Sequence, residues 1–139
     1  MLYFRLSLTL ILLFLAGCSL LSPKAEYIPS NEKLSDAIVG KPYFFKINIL
    51  GGRVLGSEKG KAGFVTPNDA GIFLRNCRLP DSVITKDTRD TKDHNCVEVY
   101  GIPTKTGTIK INIGGGMHGN MSAPTSFFSK DYTFEVAKP

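Results

Sequence analysis

The feature that most constrains this chain is an alternation. Between residues 108 and 113, Ile109, Ile111 and Ile113 fall on one side of an extended backbone, and Thr108, Lys110 and Asn112 on the other. Successive side chains of a strand point to opposite faces, so a period of two marks a strand with one buried face. The pattern recurs. Tyr43, Phe45, Ile47 and Ile49 alternate with Phe44, Lys46, Asn48 and Leu50, and the run ends at Gly51-Gly52. Residues 96–100 set Val97 and Val99 on one face; Tyr132, Phe134 and Val136 repeat the theme near the C-terminus. Shorter candidates lie at 63–66, 71–75 and 82–85. Beyond residue 40 no apolar series at i, i+3, i+4, i+7 lasts long enough for a helix. About seven short strands between Gly, Pro, Asp and Asn turns predict an all-β fold, a single β-sandwich.

The N-terminus follows another pattern. Arg5 supplies a positive start, and residues 6–15 are apolar apart from Ser7 and Thr9. A membrane-spanning helix needs about 20 apolar residues. Ser19, Ser22, Pro23 and Lys24 break this run sooner, so it reads as a secretion signal. It ends in Leu15-Ala16-Gly17-Cys18: a branched aliphatic, a small residue, Gly and Cys. That quartet resembles the lipobox of bacterial lipoproteins. The resemblance implies cleavage before Cys18, a diacylglycerol on its thiol and a further acyl chain on its freed amine. Two chains already anchor a protein stably. Ser19 stands where enterobacterial lipoproteins held at the inner membrane tend to carry Asp, so the resemblance implies the outer membrane, periplasmic face. The expected organisation is a signal peptide at 1–17, a lipidated tether at 18–35 and the sandwich at 36–139. Pro23, Pro29, Ser30 and Asn31 suit a tether.

Removing residues 1–17 leaves 122 of the 139 residues, enough for one core. It removes one charge, Arg5, and takes the formal net charge from +5 to +4. A mildly basic chain favours an acidic protein partner or an anionic lipid surface. No run of five or six like charges occurs, which argues against a nucleic-acid-binding arm. Three cysteines would leave one unpaired. Lipidation of Cys18 takes it out of the count, and an oxidising periplasm lets Cys77 and Cys96 pair. Closing a loop of about 20 residues stabilises a fold by roughly 3 kcal/mol. Metal ligation and a redox pair are the rival readings; there is no C-x-x-C and no Cys/His set at zinc spacing.

One stretch carries a fold-level resemblance. Val97-Glu98-Val99-Tyr100-Gly101-Ile102-Pro103-Thr104-Lys105-Thr106-Gly107-Thr108-Ile109-Lys110-Ile111-Asn112-Ile113 resembles the end of a bacterial immunoglobulin-like or cadherin-like module. There a strand runs through a Gly-x-Pro-Thr turn and a Gly-Thr into an alternating strand. Gly101 permits a positive φ and Pro103 presets a turn. Gly40-Lys41-Pro42 before the first long strand adds to the likeness. The resemblance implies an immunoglobulin-like sandwich over residues 36–139. The chain departs from the pattern in the 77–96 loop, which interrupts it.

Candidate chemistry is sparse. Lys86, Asp87, Arg89, Asp90, Lys92 and Asp93 form a basic-Asp-Thr repeat inside the loop, three charges against three. Their spacing does not fit an EF-hand, and a solvated, salt-bridged loop is the plainer reading than a calcium site. Met117-His118-Gly119-Asn120-Met121 has soft ligands that suit copper, although a mobile recognition loop fits its small, turn-forming neighbours better. Gly60-Lys61 lacks the upstream Gly and following Ser or Thr of a phosphate-binding loop. No G-x-S-x-G occurs, and only His94 and His118 offer an imidazole base. No catalytic residue, metal or cofactor is expected.

The reading is a non-catalytic, lipid-anchored, monomeric periplasmic protein that binds a protein partner. A specific form of it is an immunity protein that occludes a toxic secreted hydrolase or lipase effector, through the 77–96 loop or residues 114–126. Lys86, Asp87, Arg89, Asp90, Lys92, Asp93, Met117 and His118 are the expected contacts. A structural or assembly lipoprotein of an envelope complex is the alternative. Metal and carbohydrate binding rank lower; the chain has no Trp to offer a sugar platform.

Overall fold

In a computed structural model, which describes residues 21–56, 63–84 and 94–139, nearly every alternating run is a strand. The described strands are β1 (Glu26–Ile28), β2 (Ala37–Ile38), β3 (Tyr43–Leu50), β4 (Val54–Leu55), β5 (Gly63–Thr66), β6 (Ile72–Cys77), β7 (Cys96–Gly101), β8 (Gly107–Met117) and β9 (Ser126–Ala137). They form two sheets. One has the order β1-β3-β7-β6; the other runs β2-β9-β8-β4, with β5 also on β8. All pairs are antiparallel except β2–β9.

The alternation explains the packing. Ile47, Ile49, Ile72, Val97 and Val99 from the first sheet meet Ile109, Ile111, Ile113, Tyr132, Phe134 and Val136 from the second in one core. Tyr43 stacks on Phe134 across the layers, with ring centroids 4.4 Å apart and planes 9° from parallel. Each fully buried large apolar side chain contributes about 1.5–3 kcal/mol. The chain is therefore an all-β, sandwich-like domain, as its sequence indicates.

Cys77 and Cys96 form the disulfide. They are direct partners in the β6–β7 register, so the bridge joins neighbouring strands of one sheet.

Four local features differ from the sequence expectations. The first is the start of the domain. Residues 18–35 were expected as a tether, yet β1 pairs with the end of β3 and Leu34 is buried in the core. Two inward tyrosines hold this segment down: Tyr132 donates to the Pro29 carbonyl (2.8 Å) and Tyr43 to the Ser35 carbonyl (2.9 Å). The Leu34 amide donates to the Thr133 carbonyl, and the Thr133 amide to the Glu32 carbonyl. The expected boundary at residue 36 thus lies inside the fold. Short polar-flanked pieces carry no periodicity, so their pairing is invisible in sequence. The second is at 82–85, where residues 81–83 form a 3₁₀ turn and residue 84 lies outside any strand; residue 85 is outside the described residues.

The third is the extension of β8 through Gly114-Gly115-Gly116 to Met117. Glycines weaken strands, but here neighbours cover them. A Cβ at Gly116 would stand 3.7 Å from both Leu55 and Phe127, and one at Gly115 would stand 3.3 Å from the Phe128 ring. Aromatic side chains laid across strand glycines supply the missing packing. The fourth is Asn95, which is fully buried. Its side-chain oxygen accepts from the Val54 amide (2.9 Å), and its amide donates to the Ile49 (2.8 Å) and Gly52 (2.7 Å) carbonyls. One side chain therefore fixes the turn between β3 and β4, where Gly51 takes a φ of +94°.

This topology gives the molecule two distinct ends. The last residues of β3, β6 and β8 and the first of β7 and β9 lie at one end. Residues 21–25 enter there: Ser126 Oγ donates to the Pro23 carbonyl, and β1 starts opposite Leu50. Tyr43, Gly101, Ile72, Gly107 and Val136 mark the opposite end.

Candidate functional site

The outer face of the four-stranded sheet carries an ordered set of side chains. In β3 an aromatic precedes a cation by two residues, Phe44 and Lys46. In β6 the same spacing gives Phe73 and Arg75. In β7, between them and antiparallel to both, the order reverses to Glu98 and Tyr100. Register then aligns like with like. Phe44, Tyr100 and Phe73 stand side by side in one row, and Lys46, Glu98 and Arg75 in the next.

The aromatic row is open to solvent. Phe44 is 56% and Phe73 53% exposed, and the Phe73 and Tyr100 rings lie 6.0 Å apart. Ile102, just beyond β7, is also exposed. The charge row sits tighter. Glu98 is only 12% exposed in its side chain, between two cations that are each about half exposed. It accepts from Arg75 Nε and lies 3.5 Å from Lys46 Nζ. The Arg75 guanidinium holds the Glu98 carboxyl below the usual carboxylate range, and Lys46 adds to this, against the opposing effect of partial desolvation. Arg75 also lies over the Tyr100 ring, 4.6 Å from its centroid. It is thus held by a carboxylate on one side and an aromatic face on another. The recessed acid and the raised cations leave the face outwardly positive beside an aromatic strip. β6 is the last strand of this sheet among the described residues.

The residues expected from sequence to make contacts are distributed differently. Lys86, Asp87, Arg89, Asp90, Lys92 and Asp93 lie outside the described residues, as do Cys18 and the Leu15–Cys18 quartet. Met117 is a correction: expected in an exposed loop, it is fully buried at the end of β8, beneath Gly52. The loop expected at 114–126 is shorter, because β8 continues to Met117 and β9 begins at Ser126. His118 is exposed and borders an open depression of about 500 Å³, lined also by Gly119, Asn120, Met121, Ala123, Pro124 and Thr125. No group of three or more His, Cys, Asp or Glu side chains suited to a metal occurs among the described residues. No described helix is long and apolar enough to cross a membrane.

The aromatic row was missed in the sequence because Phe44 and Tyr100 sit on the polar side of their alternations. The signal available was the repeated spacing: aromatic then charge in β3 and β6, charge then aromatic in β7.

No family model, no curated protein and no solved structure matches this chain.

Proposed function

We propose that this chain is a lipid-anchored periplasmic binding protein without catalytic activity, and that its protein partner docks on the face of Phe44, Tyr100, Phe73, Lys46 and Arg75. The observation that carries the reading is the exposed aromatic row beside a cation already held in position. Binding hot spots concentrate in aromatic and Arg side chains. An Arg fixed before binding loses little further freedom when it binds. The complementary surface is an apolar patch rimmed by carboxylates.

Position favours this face over the loops. If Cys18 carries the lipid, only a few residues separate it from Pro23, so the end that holds residues 118–125 and the disulfide faces the membrane. The row of Phe44 lies six residues along β3 from Leu50, about 20 Å towards the other end at 3.3–3.4 Å per residue. An incoming periplasmic protein meets that end first. Within this class we favour an immunity protein that covers a toxic secreted hydrolase; an assembly role in an envelope complex is the alternative.

The test is protection. The full chain is co-expressed with each candidate effector directed to the periplasm, alongside a Phe73→Ala/Arg75→Ala variant. A hot-spot truncation costs at least about 2 kcal/mol, roughly thirty-fold in affinity. Protection by the native chain and its loss in the folded variant is the expected result. Protection retained by the variant would place the binding surface elsewhere. No protection against any effector, with recovery of envelope assembly machinery on the same face, would favour the alternative.

A further inference from the structure

The end where residues 21–25 enter has an unusual surface for a region clear of the core. Met121 is fully exposed at 106% and Phe127 87% exposed; Leu21 and Leu55 are exposed too. Two of these are locked together. Leu55 and Phe127 flank Gly116 in adjacent positions of β4, β8 and β9. Met121 caps the depression between His118 and Thr125. Leu21 lies two residues before Pro23, whose carbonyl accepts from Ser126. Exposed Lys24, Arg53 and His118 lie around this tip, with Glu26 the described acid nearest in the chain to Lys24. The His118 amide donates to the Arg53 carbonyl (2.8 Å), which keeps the two loops together.

We infer that this tip is itself a lipid-docking element: Met121, Phe127, Leu55 and Leu21 enter the interfacial layer of the bilayer, and Lys24 and Arg53 meet anionic headgroups. Two observations select a lipid surface over another occupant. The chain enters the molecule at this tip, and on the lipid-anchor reading only residues 19 and 20 stand between Cys18 and Leu21. Among the described residues the projecting apolar side chains have Lys24 and Arg53 near them against Glu26, a balance that suits an anionic interface. Interfacial elements of this kind bury their apolar side chains about 5–10 Å deep. Docking would fix the angle of the molecule to the bilayer, with the aromatic face held outward. The inference rests on the lipid-anchor reading, and its test separates the two.

The full chain, purified from membranes, carries one added thiol, at Met121→Cys or, as a control at the far end, Thr104→Cys. Each is labelled with an environment-sensitive dye and reconstituted into phosphatidylethanolamine/phosphatidylglycerol vesicles containing lipids with shallow spin-labelled quenchers. Strong loss of emission at position 121 and none at 104 is expected, with the chain floating alongside the vesicles. A floating chain with an unquenched dye at 121, whether free or covered by a second copy, overturns the docking and leaves the anchor standing. A chain that stays in the supernatant overturns both. Since Met121 makes no buried contact, labelling there leaves folding intact, which a native thermal transition verifies.

Discussion

Replacing Asn95 by Ala removes a buried side chain that bonds to both sides of the turn between β3 and β4. Three hydrogen bonds go with it: one from the Val54 amide and two to the carbonyls of Ile49 and Gly52. Val54, Ile49 and Gly52 are all buried, so these backbone groups do not regain solvent simply by losing Asn95. An unsatisfied buried polar group costs about 1–3 kcal/mol. Water entering the vacated space would recover part of this. The expected loss for Asn95→Ala is therefore about 3–5 kcal/mol, against a total stability of about 5–15 kcal/mol for a domain. Equilibrium unfolding in urea, followed by far-ultraviolet circular dichroism because the chain has no Trp, measures it. With a slope of about 2 kcal/mol per molar, the midpoint should fall by roughly 1.5–2.5 M. Asn95→Asp gives a second readout. It keeps the acceptor for Val54 but turns a carboxylate towards two carbonyls. Its folded-state pKa is then raised, so the variant gains stability relative to the native chain as pH falls, because a protonated carboxyl can donate again. A loss below about 1 kcal/mol for Asn95→Ala, or an Asn95→Asp defect that does not ease with acid, would show that these hydrogen bonds do not hold the turn.

Other perturbations have defined outcomes. Cys77→Ala/Cys96→Ala should lower stability by roughly 3 kcal/mol through a freer unfolded chain, and a reductant should lower the native midpoint but not the variant's. Tyr132→Phe removes the bond to the Pro29 carbonyl and should cost about 1 kcal/mol, with faster amide exchange at Leu34 and Thr133 as its local signature. Glu98 has a lowered folded-state pKa, so its contribution is present above the ordinary carboxylate value of 4.5 and disappears as pH falls through the lowered value. The difference in stability between the native chain and Glu98→Gln should therefore shrink below about pH 4.5; a gap that stays constant to pH 2 would contradict the ion-pair account.

The long alternations of β3, β7 and the first half of β8 were readable because one face of each is buried and β-branched. The bounds of β3 follow from its own pattern, which stops at Gly51-Gly52. The disulfide was readable only through the arithmetic of three cysteines. By contrast, β1, β2 and β4 are two or three residues long and depend on partners far away in sequence. The β8 extension was hidden by three glycines, whose packing comes from Leu55, Phe127 and Phe128. Asn95 reads as an ordinary polar loop residue; only the closeness of residues 49–54 makes it a buried clamp. The site was obscured for a similar reason. A face composed from three strands is visible only when register is known, whereas charged and Met/His loops stand out along a single chain and drew the sequence reading towards them.

Site-specific photocrosslinking in the intact native envelope asks whether the sandwich is held at a membrane and offers its aromatic face to a protein, with the probe placed at Phe73, at Thr108 on the other sheet, or at Met121. One protein should crosslink from position 73, none from Thr108, and lipid from Met121. That protein, once identified and purified, should bind the native chain at least about thirty-fold tighter than the Phe73→Ala/Arg75→Ala variant. A protein captured from position 121 with none from 73 would rule out the aromatic face as the docking surface.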